Sequence, residues 1–170
     1  MHVATLKGTV MRIEKILVPT DFSKNAQAAF EEACDLARQL GAKLYLLHIQ
    51  DGNALRIAIK EELVSADSTD EQLQIAVQEL IAARFSEMSA GLDRFEVSIE
   101  CVSRLGNPKA GIVGYAEEIN ADIVVIGMRG VTAMSMVTSA ALGSVAEWVL
   151  RRSPCPTLIV RTEHRPNRGE

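Results

Sequence analysis

Cysteine is scarce in this chain of 170 residues: Cys34, Cys101 and Cys155 stand far apart in apolar surroundings. So few, so scattered, they exclude a disulfide framework, and without a Cys-x-x-Cys pair or a Cys/His cluster an ordinary zinc site is excluded too. Cys34 and Cys101 are expected to be small core residues. Excess positive charge is also missing. The formal net charge of −4 argues against nucleic acid as a partner, since sequence-independent DNA binding needs a basic footprint. No apolar run approaches the roughly 20 residues that span a bilayer. No basic stretch followed by an apolar one opens the chain as a secretory signal would, so the expectation is a cytoplasmic protein with no membrane partner. Two nucleotide motifs are absent as well. Neither Gly-x4-Gly-Lys-Ser/Thr nor a Gly-x-Gly-x-x-Gly after the first strand occurs, which sets aside ordinary P-loop NTPases and standard dinucleotide dehydrogenases.

What is present is a chain 48% hydrophobic and 24% charged, enough to build one domain around a real core. Residues 1–12 show no period and read as an arm, with Met11 a plausible second start of translation. Residues 13–161 form the domain, and 162–170 read as a polar tail. Ile16-Leu17-Val18 is a short interior strand closed by Pro19. After the turn Thr20-Asp21-Phe22-Ser23, Ser23 serves as N-cap. The apolar stripe Ala26, Ala29, Phe30, Ala33, Leu36, Ala37 and Leu40 predicts a helix, ended by Gly41.

Leu44 to Ile49 is a second interior strand, within which His48 is expected as a hydrogen-bonded core histidine. The region from Asp51 to Gly91 is helical in propensity and interrupted at Ser65 to Asp70. Leu73, Val77, Leu80, Ile81 and Phe85 mark its longer helix. Phe95 to Val102 alternates strictly, which predicts a strand with one wet face near a sheet edge. Gly106-Asn107-Pro108 opens a helix from Lys109 to Ile119, with Ile112, Val113 and Ala116 inward. A strand at Asp122 to Ile126, a helix from about Ser144 to Arg152, and a strand at Pro156 to Val160 complete the chain. Trp148, on the last helix, is expected in the core or an interface. Strands alternating with helices mean βαβ crossovers and a mostly parallel five-stranded sheet.

On such sheets ligands sit beyond the carboxyl ends of the strands, where strand order reverses. Asp21 follows the first strand, and Gly127-Met128-Arg129-Gly130 ends the fourth. If those strands are neighbours, both line one crevice. Gly143 and Ser144 stand at the mouth of the final helix, whose unpaired N–H groups and partial positive charge suit phosphate. The glycines either admit a ligand to the backbone or meet a conformational need of a tight turn. Asp21 is either a ligand contact or a turn former. Ser144-Val145-Ala146-Glu147 reads as a capping box, with serine as N-cap, and a Glu147 carboxylate held there would repel phosphate. Arg129 is either a phosphate partner or a solvated loop charge. The apolar last strand, unprotected by lysine, favours pairing with a second copy.

Six blocks in order resemble the universal stress protein family. They are Ile16-Leu-Val-Pro-Thr-Asp-Phe-Ser23, Leu36-Ala-Arg-Gln-Leu-Gly-Ala-Lys-Leu-Tyr-Leu-Leu-His-Ile49, Gly106-Asn-Pro108, Ala121-Asp-Ile-Val-Val-Ile-Gly-Met-Arg-Gly130, Gly143-Ser-Val-Ala-Glu147 and Pro154-Cys-Pro-Thr-Leu-Ile-Val-Arg161. The resemblance implies a three-layer α/β/α sandwich, Rossmann-like and similar to the adenine nucleotide alpha hydrolases, with strand order 3-2-1-4-5. It also implies a homodimer through the last strand, Pro156 to Val160. In the family's ATP-binding branch, a first-strand aspartate lies by the adenosine, the residue ending strand two flanks the base, and a Gly-x2-Gly-x9-Gly-Ser/Thr pattern holds ribose and phosphates. Carried onto this chain, the adenine-nucleotide contacts are Pro19, Thr20, Asp21, Ile49, Gly127, Met128, Arg129, Gly130, Gly143, Ser144 and Val145. The ligand is ATP or AMP, with Mg²⁺ on the phosphates. The chain departs from the pattern between Gly130 and Gly143, where twelve residues, Val131 to Leu142, replace nine. A longer loop costs little closure entropy, yet Met134, Met136 and Val137 are available to fill the pocket.

The functional expectation is a nucleotide-binding stress-response regulator that signals through occupancy, at most a weak ATPase, with no catalytic residue named. The alternative is a nucleotide-free module of the same fold acting through protein–protein contact. An ATP pyrophosphatase is less consistent with the sequence, which lacks a Ser-Gly-Gly-x-Asp-Ser type loop.

Overall fold

The computed structural model describes residues 12–51, 69–90, 97–130 and 142–162. Most of the expected arm, most of the tail, the first part of the Asp51–Gly91 region and residues 131–141 of the long loop lie outside the described residues. Five strands, β1 (Lys15–Pro19), β2 (Lys43–Gln50), β3 (Ile99–Leu105), β4 (Ile123–Gly127) and β5 (Thr157–Val160), form one parallel sheet in the order β3-β2-β1-β4-β5. The expected order is therefore observed, and β1 and β4 are neighbours at the point where it reverses.

Helices cover both faces. On one face α1 (Lys24–Leu40) and α2 (Asp70–Ser89) close over Ile16, Val18, Leu44, Leu46 and Val125. On the other, α3 (Pro108–Glu118) and α4 (Ser144–Arg152) close over Leu17, Leu47, Val124 and Ile126. The central strands are apolar throughout because neither of their faces meets water. Phe30 of α1 is fully buried, a burial worth about 2–3 kcal/mol. Cys34 is buried beside it, and burial, with Asp35 and Glu31 adding to it, pushes its thiol up to about 12, so it is an inert core residue.

Local chemistry sets the helix ends. The Ser23 hydroxyl accepts the Ala26 N–H, and Gly41 ends α1 with a φ of 66°, a left-handed position that costs glycine nothing. Thr69 and Gln72 form a reciprocal capping box on α2. Asn107 caps α3 through the N–H groups of Lys109 and Ala110, with Pro108 in the first turn. At the amino end of the sheet, the Asp122 carboxylate accepts the N–H groups of Glu14 at 2.8 Å and Lys15 at 2.9 Å. It therefore ties the start of β1 to the start of β4 and is not itself a strand residue.

Several expectations need correction. Strand β3 begins at Ile99 and runs to Leu105, because its register is set by β2, from Leu44 opposite Ile99 to Gln50 opposite Leu105. Of the expected Phe95–Val102 strand, residues 95–96 lie outside the described residues, and Val97 and Ser98 precede the ladder. Cys101 is exposed, not core, since an edge strand keeps one wet side. Leu40 continues the apolar spacing of α1 but is 47% exposed; it is the last helical residue, and Gly41 turns the chain away at once. Tyr115 is buried in α3, whereas Val113 is only half-buried. Trp148 is not in the core. It lies on the surface with the Arg152 guanidinium 4.1 Å and the Lys109 ammonium 5.7 Å from its ring centre. No helix among the described residues is long and apolar enough to cross a membrane.

Candidate functional site

The carboxyl ends of β1 and β4 lie side by side, and the segments leaving them converge. Gly127 closes β4, and the Met128 N–H donates to the Val160 carbonyl at 2.9 Å. The Met128 carbonyl in turn accepts the Gly143 N–H at 2.9 Å. A Cβ on Gly143 would stand 3.3 Å from the Arg129 Cα and 3.6 Å from the Gly130 nitrogen. A Cβ on Gly130 would collide with the Asp21 carboxylate. Thus Asp21, Gly130, Arg129, Met128 and Gly143 meet at one place, although they come from three segments separated by up to 122 positions (143 − 21).

Gly127 does something different. A Cβ there would lie 2.7 Å from the Asn25 carbonyl oxygen and 3.2 Å from the Ala26 nitrogen. Its missing side chain lets the first turn of α1 press against the end of β4. A positive φ does not explain it, since among the described glycines only Gly41 and Gly106 have one.

Helix α4 opens onto this convergence. Its N-cap is Gly143, with φ −66° and ψ 149°, and no side chain caps it. The expected Ser144 capping box is not formed: Ser144 is already the first helical residue, and the Glu147 N–H bonds the Gly143 carbonyl at 2.9 Å. The Glu147 carboxylate instead pairs with Arg151, one turn further on, at 3.1 Å. It is drawn down the helix, away from the mouth where it would have opposed an anion. Ser144 is exposed and Val145 half-buried against the apolar cluster beneath.

The β1–α1 turn forms the opposite wall. Pro19 and Thr20 are buried, and Asp21 is exposed. The Thr20 N–H donates to the Leu47 carbonyl at 2.8 Å, while its hydroxyl accepts the Phe22 N–H at 2.9 Å and lies 3.3 Å from the Met88 sulfur. Thr20 is thereby committed to the fold through both its amide and its side chain. Asp21 Oδ1 accepts the Ser23 N–H at 3.1 Å. Ile49, at the end of β2, is buried in the cluster with Ile112 and Tyr115. A Cβ on Gly111 would lie 2.9 Å from the Ile49 Cδ1, so that helical glycine makes room for it.

Three residues here escape sequence reasoning. Phe22 has a φ of 60°, which nothing in its type announces. His48 is hydrogen-bonded, as expected, but its partner is the Thr20 carbonyl of this turn. Asn25 matters through its main chain, which no side-chain pattern encodes. Among the described residues no group of three or more His, Cys, Asp or Glu residues is arranged to hold a metal ion.

A family model described as the universal stress protein family matches residues 12–161. The chain belongs to that family. A protein of Staphylococcus saprophyticus named as a universal stress protein is 31% identical over 158 residues, covering 92% of this chain and 89% of its own length. Among solved structures, that of hypothetical protein MJ0577 is similar with a TM-score of 0.70 and 26% identity, over 91% of this chain and 99% of that one. A universal stress protein in complex with cAMP is similar with a TM-score of 0.62 and 25% identity, over 89% and 98% of the two chains. The match to this universal stress protein runs through both glycine-bearing segments and the Asp21 turn, so every wall of the convergence lies inside the shared domain.

Proposed function

We propose that this universal stress protein binds an adenine nucleotide, ATP or AMP, where Asp21, the Gly127–Gly130 segment and the first turn of α4 meet, and that occupancy of this site is its signal in a stress response. The observation that carries the reading is the convergence itself: Gly143 hydrogen-bonded to Met128, with Gly130 so close to Asp21 that a side chain there would displace the carboxylate. The uncapped start of α4 beside it offers main-chain N–H groups and the positive end of a helix dipole to phosphate. The Asp21 carboxylate is an acceptor suited to the hydroxyls of a ribose. Arg129, whose Cα adjoins Gly143, brings a cation to the same seam. With Glu147 held by Arg151, no acidic side chain of the first turn opposes the phosphates. Mg²⁺ would arrive on the phosphates, and the chemistry asked of the protein is binding, with no nucleophile assigned. The cAMP complex of a relative supports an adenine nucleotide as the ligand class.

The test is calorimetry of the purified protein with ATP and with AMP, beside Gly130→Val. Wild type should bind at least one of them, and a ligand at a hundred times its Kd should stabilise the fold by about 2.7 kcal/mol. The valine variant should fold but lose at least about tenfold in affinity, equivalent to about 1.4 kcal/mol. Absence of heat and of thermal stabilisation at millimolar nucleotide would reject the reading in favour of a nucleotide-free interaction module.

We propose further that β5 is the edge of a homodimer. Leu158 is exposed there, and the buried Thr157 hydroxyl has no hydrogen-bond partner among the described residues. The exposed Leu158 suits a strand that pairs with its own copy.

A further inference from the structure

The most strained backbone beside the site is the turn from Thr20 to Ser23, between β1 and α1. Phe22 sits at a φ of 60°, a left-handed conformation that costs a residue with a Cβ roughly 1–2 kcal/mol. Such a conformation persists only where its surroundings over-determine it. Two bonds are local, from Phe22 N–H to the Thr20 hydroxyl and from Ser23 N–H to Asp21. A third comes from β2: His48 Nδ1 lies 2.9 Å from the Thr20 carbonyl oxygen. A carbonyl only accepts, so the proton must be on Nδ1, and the bond fixes the tautomer of the ring. The Phe22 ring is 4.6 Å from the His48 ring and 5.4 Å, edge on, from that of Phe85. The carbonyl that His48 holds belongs to the Thr20–Asp21 peptide, and Asp21 is the residue whose carboxylate stands against Gly130.

We propose that His48 is a positioning residue of the nucleotide site: by donating from Nδ1 to the Thr20 carbonyl and bearing the Phe22 ring, it locks the strained turn in the form that presents Asp21 to Gly130. The inference rests on the nucleotide reading above. It gives a histidine inside a strand a task in ligand binding without contact with the ligand. Burial, outweighing the opposing influence of the Thr20 bond and of Asp21 and Asp51, keeps the ring's pKa below its ordinary value. The neutral ring still donates from Nδ1, so the lock is present at neutral pH.

Two variants separate the two grips. His48→Phe keeps a ring against Phe22 and removes the donor; His48→Leu takes its place if the larger ring prevents folding. His48→Asn gives up the ring and restores an amide N–H near the Nδ1 position. AMP affinity measured by calorimetry should fall by roughly tenfold in H48F, the scale of one lost hydrogen bond. In H48N it should return to within about threefold of wild type on the same scale. Amide resonances of Asp21 and Phe22, recorded without ligand, should move in H48F and return towards their wild-type positions in H48N. Wild-type affinity in H48F, or equal weakness of the two variants, overturns the proposal. Should wild type bind only ATP, ATP replaces AMP as the probe; should it bind neither, the nucleotide reading fails on its own account. The ligand-free spectra then decide the lock: resonances unmoved in H48F overturn it, and resonances moved in H48F but restored in H48N uphold it.

Discussion

Gly127 and Gly130 are three positions apart, and their neighbours give them unrelated reasons for being glycine. At Gly127 a Cβ would meet the main chain of Asn25, which cannot yield without moving α1, and overpacking of that kind costs typically 1–3 kcal/mol. At Gly130 it would meet the end of the Asp21 side chain, which can turn aside but then leaves its place at the site. The sequence marks both as glycines at the end of an interior strand and offers no means of telling them apart, because Asn25 is 102 positions (127 − 25) from Gly127. His48 illustrates the same limit: its hydrogen bond was legible from a polar ring in an apolar strand, its partner was not. Its titration gives a prediction at this scale. Burial lowers its folded-state pKa from the 6.5 of the free side chain, so between those two values the unfolded chain binds more protons than the native one. The associated stability is present above about pH 6.5 and is lost as the pH falls through the folded-state value. The melting temperature of wild type should drop more between about pH 7.5 and pH 5.5 than that of H48N. Parallel profiles would show that His48 contributes nothing to the pH dependence.

Among the elements, the helices show where local chemistry suffices and where it misleads. Ser23 reads as an N-cap from residue type and caps in the structure; Gly106-Asn107-Pro108 reads as the opening of a helix, and there Asn107 caps; the Thr69–Gln72 box falls in a stretch that reads only as an interruption. Ser144 through Glu147 reads as a capping box and forms none. Gly143 takes the extended N-cap conformation, so the helix begins one residue before the pattern implies, and Arg151 draws Glu147 the other way. Ser144→Ala should therefore change the unfolding free energy by less than about 0.5 kcal/mol, whereas Asn107→Ala should cost about 1 kcal/mol. Urea denaturation of the two variants checks this, and a loss of a full kcal/mol in S144A would restore serine as the cap. Strand ends were less legible for a related reason. The start of β3 is dictated by where β2 begins, so alternation within Phe95–Val102 could not place it.

At the level of the whole molecule, the alternation of strands and helices was sufficient for a parallel α/β sheet, and the blocks shared with the universal stress proteins supplied its strand order. Neither could say whether β5 meets a second copy, since that depends on a surface outside the chain. Sedimentation at micromolar concentration should find a dimer, and Leu158→Lys, which sets a charge on the open edge, should yield a monomer. A wild-type monomer at that concentration would remove β5 from the list of interfaces.

The sheet itself is unevenly stitched. β1 and β2 run side by side from Lys15–Lys43 to Pro19–Leu47, but β1 and β4 pair only through Ile16–Ile123 and Leu17–Val124. The place where strand order reverses is thus a short seam in the sheet, bridged by α1, with Asp21 on one side of it and Gly130 and Gly143 on the other. A molecule seated between Asp21 and the Gly130–Gly143 pair would touch both sides of that seam at once.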